Sequence, residues 1–138
     1  MPHADAPPRP SLKLRLLALV AVAAARPLAR ARPHRIATVL QALRRGATSA
    51  TADQAATART AVVTVSARCA APRSCLHRSL ATVILCRLLG TWPTWATGVR
   101  TDPFCAHAWV AVDGTPVGEP AQDTGYTPIL TVPPAQPS

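Results

Sequence analysis

Two residues of types that do nucleophilic chemistry stand in suitable settings in this 138-residue chain, Cys75 and His107. Cys75 follows Ser74 at the predicted start of a helix, where unpaired N–H groups favour the reactive thiolate form. His107 lies in a predicted strand, residues 106–112, which is a rigid support for an imidazole. A histidine held beside a thiol can take its proton and later give a proton to a leaving group. The pair therefore predicts a thiol nucleophile and its base.

Such a histidine is normally oriented by a third group, and the candidates are Asp113, Glu119 and Asp123. Asp113 is already explained by the hairpin turn that an Asp-Gly pair favours. A two-residue turn would leave no side chain able to orient His107 on its own face of the returning strand. A three-residue loop with a bulge would bring Glu119 onto that face. We therefore predict Glu119 as the third member, on condition that the hairpin contains a bulge.

The other cysteines and histidines receive lesser roles. Cys86 follows Cys75 by eleven residues on the same helical stripe and is predicted to fill the core. Cys105 stands two residues before His107, and it would be a second thiol near the site only if it shared the face of His107. His77, two residues along the helix from Cys75, should point elsewhere and be exposed. His3 and His34 are given no role.

Cysteine spacing bears on metals and on compartment. The four cysteines form no C-x-x-C pair, so the sequence predicts neither a zinc site nor a redox motif, and no cofactor. A disulfide framework is also not expected in a chain with this much core-forming sequence. We expect reduced thiols in an intracellular protein.

The elements that must position the pair can be read from apolar spacing and turn residues. A helix is predicted over 75–89, capped by Ser74 and stopped by Gly90. Residues 91–100 are predicted as a turn that leads into a strand, and 106–112 as a second strand. Residues 115–119 should return as the hairpin partner. No element is predicted after Pro120, and 69–74 is predicted as a loop.

Short helices are predicted before this region. One begins near residue 12 and is broken at Pro27 and again near Pro33. A second spans 34–45 and stops at Gly46. A third spans 51–66 and starts with the capping box of Thr51 and Gln54, with a loop of small residues before it.

Charge divides the chain into two parts. Residues 1–60 carry ten Lys and Arg against two acidic residues, while residues 61–138 carry five against four. We predict a basic helical segment over 1–66, a catalytic core over 67–132 and a loose terminus over 133–138. A basic segment can attract nucleic acid, a membrane surface or an acidic peptide.

An apolar run near the amino terminus resembles a signal peptide because basic residues precede it and small residues follow. The uninterrupted run, residues 16–25, is far shorter than the about 20 residues that a membrane span requires. Arginines also continue beyond it, at Arg26 and Arg30. We therefore predict a helix that is buried or faces a partner, in a cytoplasmic protein without membrane contact.

Several of these residues together resemble a known family, the transglutaminase-like cysteine peptidases of lasso-peptide biosynthesis. The resemblance covers roughly residues 50–132 and concerns the form in which protease and leader-recognition protein are separate chains. The matching motifs are Arg68-Cys69, Cys75-Leu76-His77-Arg78-Ser79-Leu80, Gly98-Val99-Arg100-Thr101-Asp102-Pro103-Phe104 and Ala106-His107-Ala108-Trp109-Val110.

The resemblance implies an α+β fold with a papain- or transglutaminase-like core, in which a helix carrying Cys75 packs on a small antiparallel sheet carrying His107. It also implies removal of the leader from a precursor peptide, with a separate leader-recognition protein as partner and an ATP-dependent lasso cyclase acting next. The family often has an acidic residue at the position of Ala111. Because Ala111 has no carboxylate, one candidate for orienting His107 is removed, and Glu119 becomes the more important candidate.

Two other functions are compatible with the same sequence. An acyltransferase or transglutaminase would use the same triad, with an amine in place of water resolving the acyl-enzyme. A non-catalytic basic module could bind peptide or RNA, but the sequence lacks the aromatic platform that single-strand binders use. We therefore expect no nucleic-acid partner.

Overall fold

The protein combines a helical layer with an antiparallel sheet. A computed structural model describes residues 10–71, 74–101, 104–118 and 125–135. In that part of the chain the helices are α1 (Leu12–Ala29), α2 (Pro33–Leu43), α3 (Ala52–Val65), α4 (Ala67–Ala70) and α5 (Cys75–Leu88). The strands are β1 (Thr48–Ser49), β2 (Thr91–Trp92), β3 (Thr94–Arg100), β4 (Cys105–Val112), β5 (Thr115–Pro116) and β6 (Thr127–Val132). Helices followed by antiparallel strands agree with the predicted α+β class.

Helix α5 is the centre of the fold. Every side chain from Ser79 to Cys86 is buried, so the helix is enclosed on all sides over two turns. Helices α1 and α3 pack against it, and most of their buried residues are small, among them Ala21 and Ala58. Small side chains at a contact shorten the distance between helix axes. Cys86 fills the core as predicted, and burial raises the pKa of its thiol to about 12.

The main sheet has the strand order β5-β4-β3-β6 and is antiparallel throughout. Its inner face meets the helices through Trp95 and Val110, which lie opposite each other on β3 and β4. The indole N–H of Trp95 donates to the Ser79 hydroxyl on α5, so burial leaves neither polar group unpaired. The outer face carries a smaller cluster around Trp109.

The hairpin between β4 and β5 has a two-residue turn, and the predicted bulge is wrong. Val112 pairs with Thr115, and the turn residues Asp113 and Gly114 have φ angles of 52° and 81°. Positive φ at both positions gives the turn that matches the natural twist of a hairpin, and Asp-Gly adopts it readily. The condition placed on Glu119 is therefore not met at this turn. Glu119 itself lies outside the described residues, so its role stays a prediction without the support of the hairpin register.

Three predictions about the helices are wrong. Helix α1 continues through Pro27 to Ala29 instead of breaking there. A proline so near the end removes one helical hydrogen bond, while the packing of Ala25 against the core holds the chain in place. Ser74 precedes α5, but its side chain makes no capping hydrogen bond. The predicted loop over 69–74 also begins with the short helix α4, whose first turn is capped by Ser66.

Three strands are absent from the sequence prediction. β1 and β2 are two residues long and pair in parallel, so they have no periodicity to detect. β6 contains Pro128, which argues against a strand in the middle of a sheet. It lies at the sheet edge, where a proline is tolerated because its missing N–H has no partner to lose.

One hydrophobic cluster joins the helices to the sheet. It contains buried residues from both sides of the predicted boundary at 66/67, such as Leu40 and Val62 before it and Leu80 and Val132 after it. The basic helical segment thus contributes to the core on which the sheet packs. Among the helices of the described residues, none is both long enough and apolar enough to span a membrane.

The helix caps give a test of this architecture. Thr51 accepts from the Gln54 N–H and forms a complete capping box, so Thr51→Ala should lower the free energy of unfolding by about 0.5–2 kcal/mol. Ser74→Ala is the matched control, because its hydroxyl makes no cap hydrogen bond, and it should change stability by less than about 0.5 kcal/mol. Urea denaturation measures both, and equal losses would contradict the assignment.

Candidate active site

Cys75 is the first residue of α5 and meets the sheet at β4. Its half-buried thiol forms hydrogen bonds with the His107 side chain and with the backbone of Ala108. The predicted nucleophile and base are therefore in direct contact. The helix supplies the thiol and the strand supplies both of its partners, as the predicted layout requires.

The backbone contact depends on how β5 ends. The Val117 N–H donates to the Val110 carbonyl, so the backbone groups of Val110 point away from β3 and toward β5. Alternate residues of a strand direct their backbone groups to the same edge, so Ala108 points the same way. Within the described residues, β5 pairs with β4 at Ala111 and Val112. The Ala108 backbone, two residues before Val110 on the same edge of β4, forms its hydrogen bond with Cys75 instead.

The surroundings of Cys75 favour its thiolate. Burial raises the pKa of the thiol, but the hydrogen bonds with His107 and Ala108 and the positive charges of His107 and Arg78 lower it by more. The pKa therefore lies below its ordinary value of 9.0. Because the Ala108 contact lowers the pKa, its backbone group is the N–H, which donates to the sulfur. The same N–H group is a potential donor to a developing oxyanion.

Arg78 is fixed one turn along α5 from the nucleophile. Its guanidinium donates to the Cys69 carbonyl at 3.0 Å and to the Ala71 carbonyl at 3.2 Å. These bonds connect the segment before the helix to the helix itself and hold a positive charge near the thiol. Arg73, a second basic residue close to Cys75 in the sequence, lies outside the described residues.

Aromatic rings hold the imidazole of His107. Trp109 is stacked with it at 5.8 Å between ring centroids, and Tyr126 lies at 5.0 Å. The Arg100 guanidinium sits over the Tyr126 ring at 4.9 Å. Contacts of this kind restrict ring rotation. Phe104, the other aromatic residue near His107 in the sequence, is 72% exposed.

Gly98 makes room for this arrangement. It lies opposite His107 on β3, and a Cβ added there would come within 2.4 Å of the Thr127 carbonyl oxygen. It would also come within 2.9 Å of the Trp109 ring. The lack of a side chain at this position is therefore required for β6 and Trp109 to approach.

The third member of the triad stays a prediction. Asp113 is exposed at the hairpin turn, six residues along an extended strand from His107, which corresponds to about 20 Å. That distance excludes it as an orienting group. Glu119 and Asp123 both lie outside the described residues. Asp53 stands in the first turn of α3 and was not proposed for the site.

The remaining candidates have other contacts. His77 bonds the Val22 carbonyl of α1 through Nε2 at 3.0 Å, so it faces away from Cys75, although it is half-buried instead of exposed. The Tyr126 hydroxyl donates to the Cys105 sulfur at 3.3 Å on the face that also carries His107. His34 is exposed. Within the described segments, no group of three or more His, Cys, Asp or Glu side chains is placed to hold a metal ion.

An apolar cleft of about 290 Å³ opens beside the Cys75–His107 pair, and we call it the active-site cleft. One wall is the start of α2 and the turn before it, and the other is the sheet. Cys75 and His107 themselves line it. The apolar side chains around it include Ala31, Pro33, Ile36, Leu76, Val99 and Ile129.

Sequence reasoning missed two contributors to this site. Ala108 acts through its backbone N–H, and a backbone donor has no residue-type signature. Tyr126, the one tyrosine of the chain, lies in the region after Pro120 where no strand was predicted. The sequence therefore gave no reason to place Tyr126 next to His107. A signal for Tyr126 would have been the apolar pattern of β6 immediately after it.

A thiol of lowered pKa, an adjacent imidazole and a backbone N–H donor can attack a carbonyl and form an acyl-enzyme. The chain belongs to the transglutaminase-like superfamily, whose family model matches residues 18–131. Members of this superfamily are typically cysteine-dependent enzymes, with a fold used by cysteine peptidases and acyltransferases. No curated protein and no solved structure was found to match the sequence.

The lowered pKa predicts the pH dependence of alkylation. The rate at which iodoacetamide modifies Cys75 should rise with a midpoint below pH 9.0, because the thiolate is the reactive form. His107→Ala should move that midpoint upward, since a hydrogen bond and a positive charge are lost together. Peptide mass spectrometry separates Cys75 from Cys105, and His34→Ala is the control. An unchanged midpoint in His107→Ala would contradict the pairing.

Proposed function

We propose that this protein is a cysteine peptidase that removes the leader from a ribosomally made lasso precursor peptide. The observation that carries the chemistry is the contact of Cys75 with His107, together with the lowered pKa of the thiol. Support for the substrate comes from the motifs around both residues, which resemble those of lasso leader peptidases. Membership of the transglutaminase-like superfamily agrees with this class of chemistry.

In the first step the Cys75 thiolate attacks the scissile carbonyl carbon, and a carbon–sulfur bond forms. The Ala108 N–H and the free N–H at the start of α5 are the available donors for the oxyanion. His107, as the imidazolium, gives its proton to the amine nitrogen while the carbon–nitrogen bond breaks. The products are the free amine of the core peptide and a thioester of the leader.

In the second step a water molecule attacks the thioester. His107, now neutral, takes a proton from the water, the carbon–sulfur bond breaks, and the leader leaves with a new carboxylate. Transfer of the acyl group to an amine would follow the same path with an amine in the place of water.

A separate leader-recognition protein is the proposed partner, and α1 is its proposed docking surface. The exposed side of α1 carries Leu12, Leu16, Leu19 and Val20, which are between 48% and 73% exposed. No acidic residue occurs from position 6 to position 52, so this apolar stripe is surrounded by positive charge. A partner with an apolar patch bordered by acidic residues fits it, whereas a second copy would bring like charges together.

The proposed place of action is the cytoplasm. All four cysteines are free thiols, and such thiols persist in a reducing compartment. The amine released from the core peptide would then be available to a separate ATP-dependent cyclase.

The nucleophile is tested with precursor peptide and leader-recognition protein. Cys75→Ala should reduce the rate of leader removal by at least about 1,000-fold, because it removes the sulfur that forms the proposed acyl-enzyme. Cys105→Ala is the matched control and should cleave at close to the wild-type rate. Mass spectrometry follows the cleavage. Undiminished leader removal by Cys75→Ala would end the peptidase proposal, and an amine adduct in place of the acid would favour acyl transfer.

The docking surface is tested with a charge placed on α1. Leu16→Glu should weaken binding of the leader-recognition protein by about tenfold or more, since it buries a carboxylate in an apolar contact. Leu89→Glu is the control, because Leu89 is 47% exposed at the far end of α5. Calorimetric titration measures the affinity, and thermal melting confirms folding. Equal affinities for Leu16→Glu and wild type would rule out α1 as the interface.

A further inference from the structure

The active-site cleft is built to receive a side chain. It contains about 290 Å³, near the lower end of the range of about 300–1,000 Å³ for ligand pockets. Among the described residues that line it, the polar side chains are those of Cys75, Thr97 and His107. The first and last of these belong to the reacting pair. The rest of the lining is apolar, so outside the reacting pair the described lining offers no counter-charge to an acidic or basic group.

Ile129 sits at the rim of the cleft because of an irregularity in the sheet. Thr97 pairs with Leu130 and Gly98 pairs with Pro128, so Ile129 is an extra residue between two pairs. Such a bulge leaves the residue unpaired and re-aims its side chain. Ile129 is 68% exposed and nevertheless lines the cleft, so a large aliphatic group stands in solvent next to the reacting pair.

An apolar occupant follows from the cost of the alternative. A charged side chain that enters the apolar part of the cleft loses its hydration and gains no partner among the residues around it, which is unfavourable. An aliphatic side chain there would cover Ile129, Leu76 and Val99 and remove their apolar surface from water, which is favourable. The cleft therefore discriminates by polarity as well as by size.

The acyl half of the substrate is the better occupant. After the first step the amine product departs, while the acyl group stays bonded to the Cys75 sulfur until water attacks. Contacts in a cleft lined by Cys75 itself then continue to hold the acyl group in place for the second step. Contacts with the leaving half would instead delay the release of the amine.

We propose that the active-site cleft is a specificity subsite that binds an uncharged aliphatic side chain of the acyl half of the substrate, at or next to the scissile bond. This rests on the proposed function, because it deepens the description of the same site. Ile129, Leu76 and Val99 are its specificity-determining residues. The proposal predicts that the leader ends with an aliphatic residue at one of its last two positions.

Peptidyl chloromethyl ketones probe the subsite without the precursor or the partner. The Cys75 thiolate displaces chloride, a carbon–sulfur bond forms, and the rate reports recognition of the acyl half. One series carries Leu, Asp or Lys at the residue that bears the ketone, and a second carries them one residue earlier. In at least one series the Leu probe should react about tenfold faster or more than the Asp and Lys probes.

Ile129→Glu is the informative variant, and each variant's rates are divided by its own rate with iodoacetamide. The added carboxylate should lower the preference for Leu over Lys several-fold. Leu89→Glu, an aliphatic residue of comparable exposure outside the cleft, should keep the wild-type preference. Thermal melting verifies that both variants fold.

The outcomes separate the subsite from the proposed function. Equal rates for Leu, Asp and Lys probes in both series would overturn the subsite, and so would an unchanged preference in Ile129→Glu. Both results would leave the nucleophile intact if iodoacetamide modifies Cys75 rapidly at neutral pH. Slow modification of Cys75 by iodoacetamide would instead count against the peptidase chemistry itself.

Discussion

The geometry of the active site is set by one contact, in which the first turn of α5 meets the edge of β4. Two hydrogen bonds are made there: the Cys75 sulfur pairs with the His107 side chain and accepts from the Ala108 N–H. For this contact to form, α5 must be held firmly, and it is enclosed over its middle turns by α1, α3 and the sheet. The strand edge must also be accessible at residue 108, and the short pairing of β5 with β4 contributes to that access. The packing of the helices and the sheet thus sets the position of the Cys75 sulfur relative to the His107 imidazole.

The sequence was sufficient for the parts of this arrangement that residue type and spacing encode. Cys75 and His107 were identified from their settings, and the helix and hairpin that carry them were predicted close to their observed ends. The register of the β4–β5 hairpin was not predicted correctly, because the choice between a two-residue and a three-residue loop depends on twist and packing. The Ala108 N–H donor could not be identified at all, since every residue except proline has such a group.

Long-range pairing explains the other differences. β6 stands far from β3 in sequence, and its proline hid it, yet it brings Tyr126 to the imidazole and Ile129 to the cleft. β1 is equally inconspicuous but joins the segment between α2 and α3 to the end of α5 through β2. The helices of the basic half of the chain likewise have two different faces. Its alanine-lined faces complete the core, while its leucines on the opposite side of α1 remain exposed.

Helix α5 carries two thiols of opposite character. Cys75 is half-buried with a pKa below 9.0, whereas Cys86 is buried in the core with a pKa raised to about 12. In the folded chain a thiol reagent should therefore modify Cys75 much faster than Cys86. When the chain unfolds, both thiols become exposed and should react at similar rates. The helix contains its own internal standard, in which modification of the inner cysteine marks molecules that have opened. One labelled sample can then report on the competence of the site and on the integrity of the fold around it.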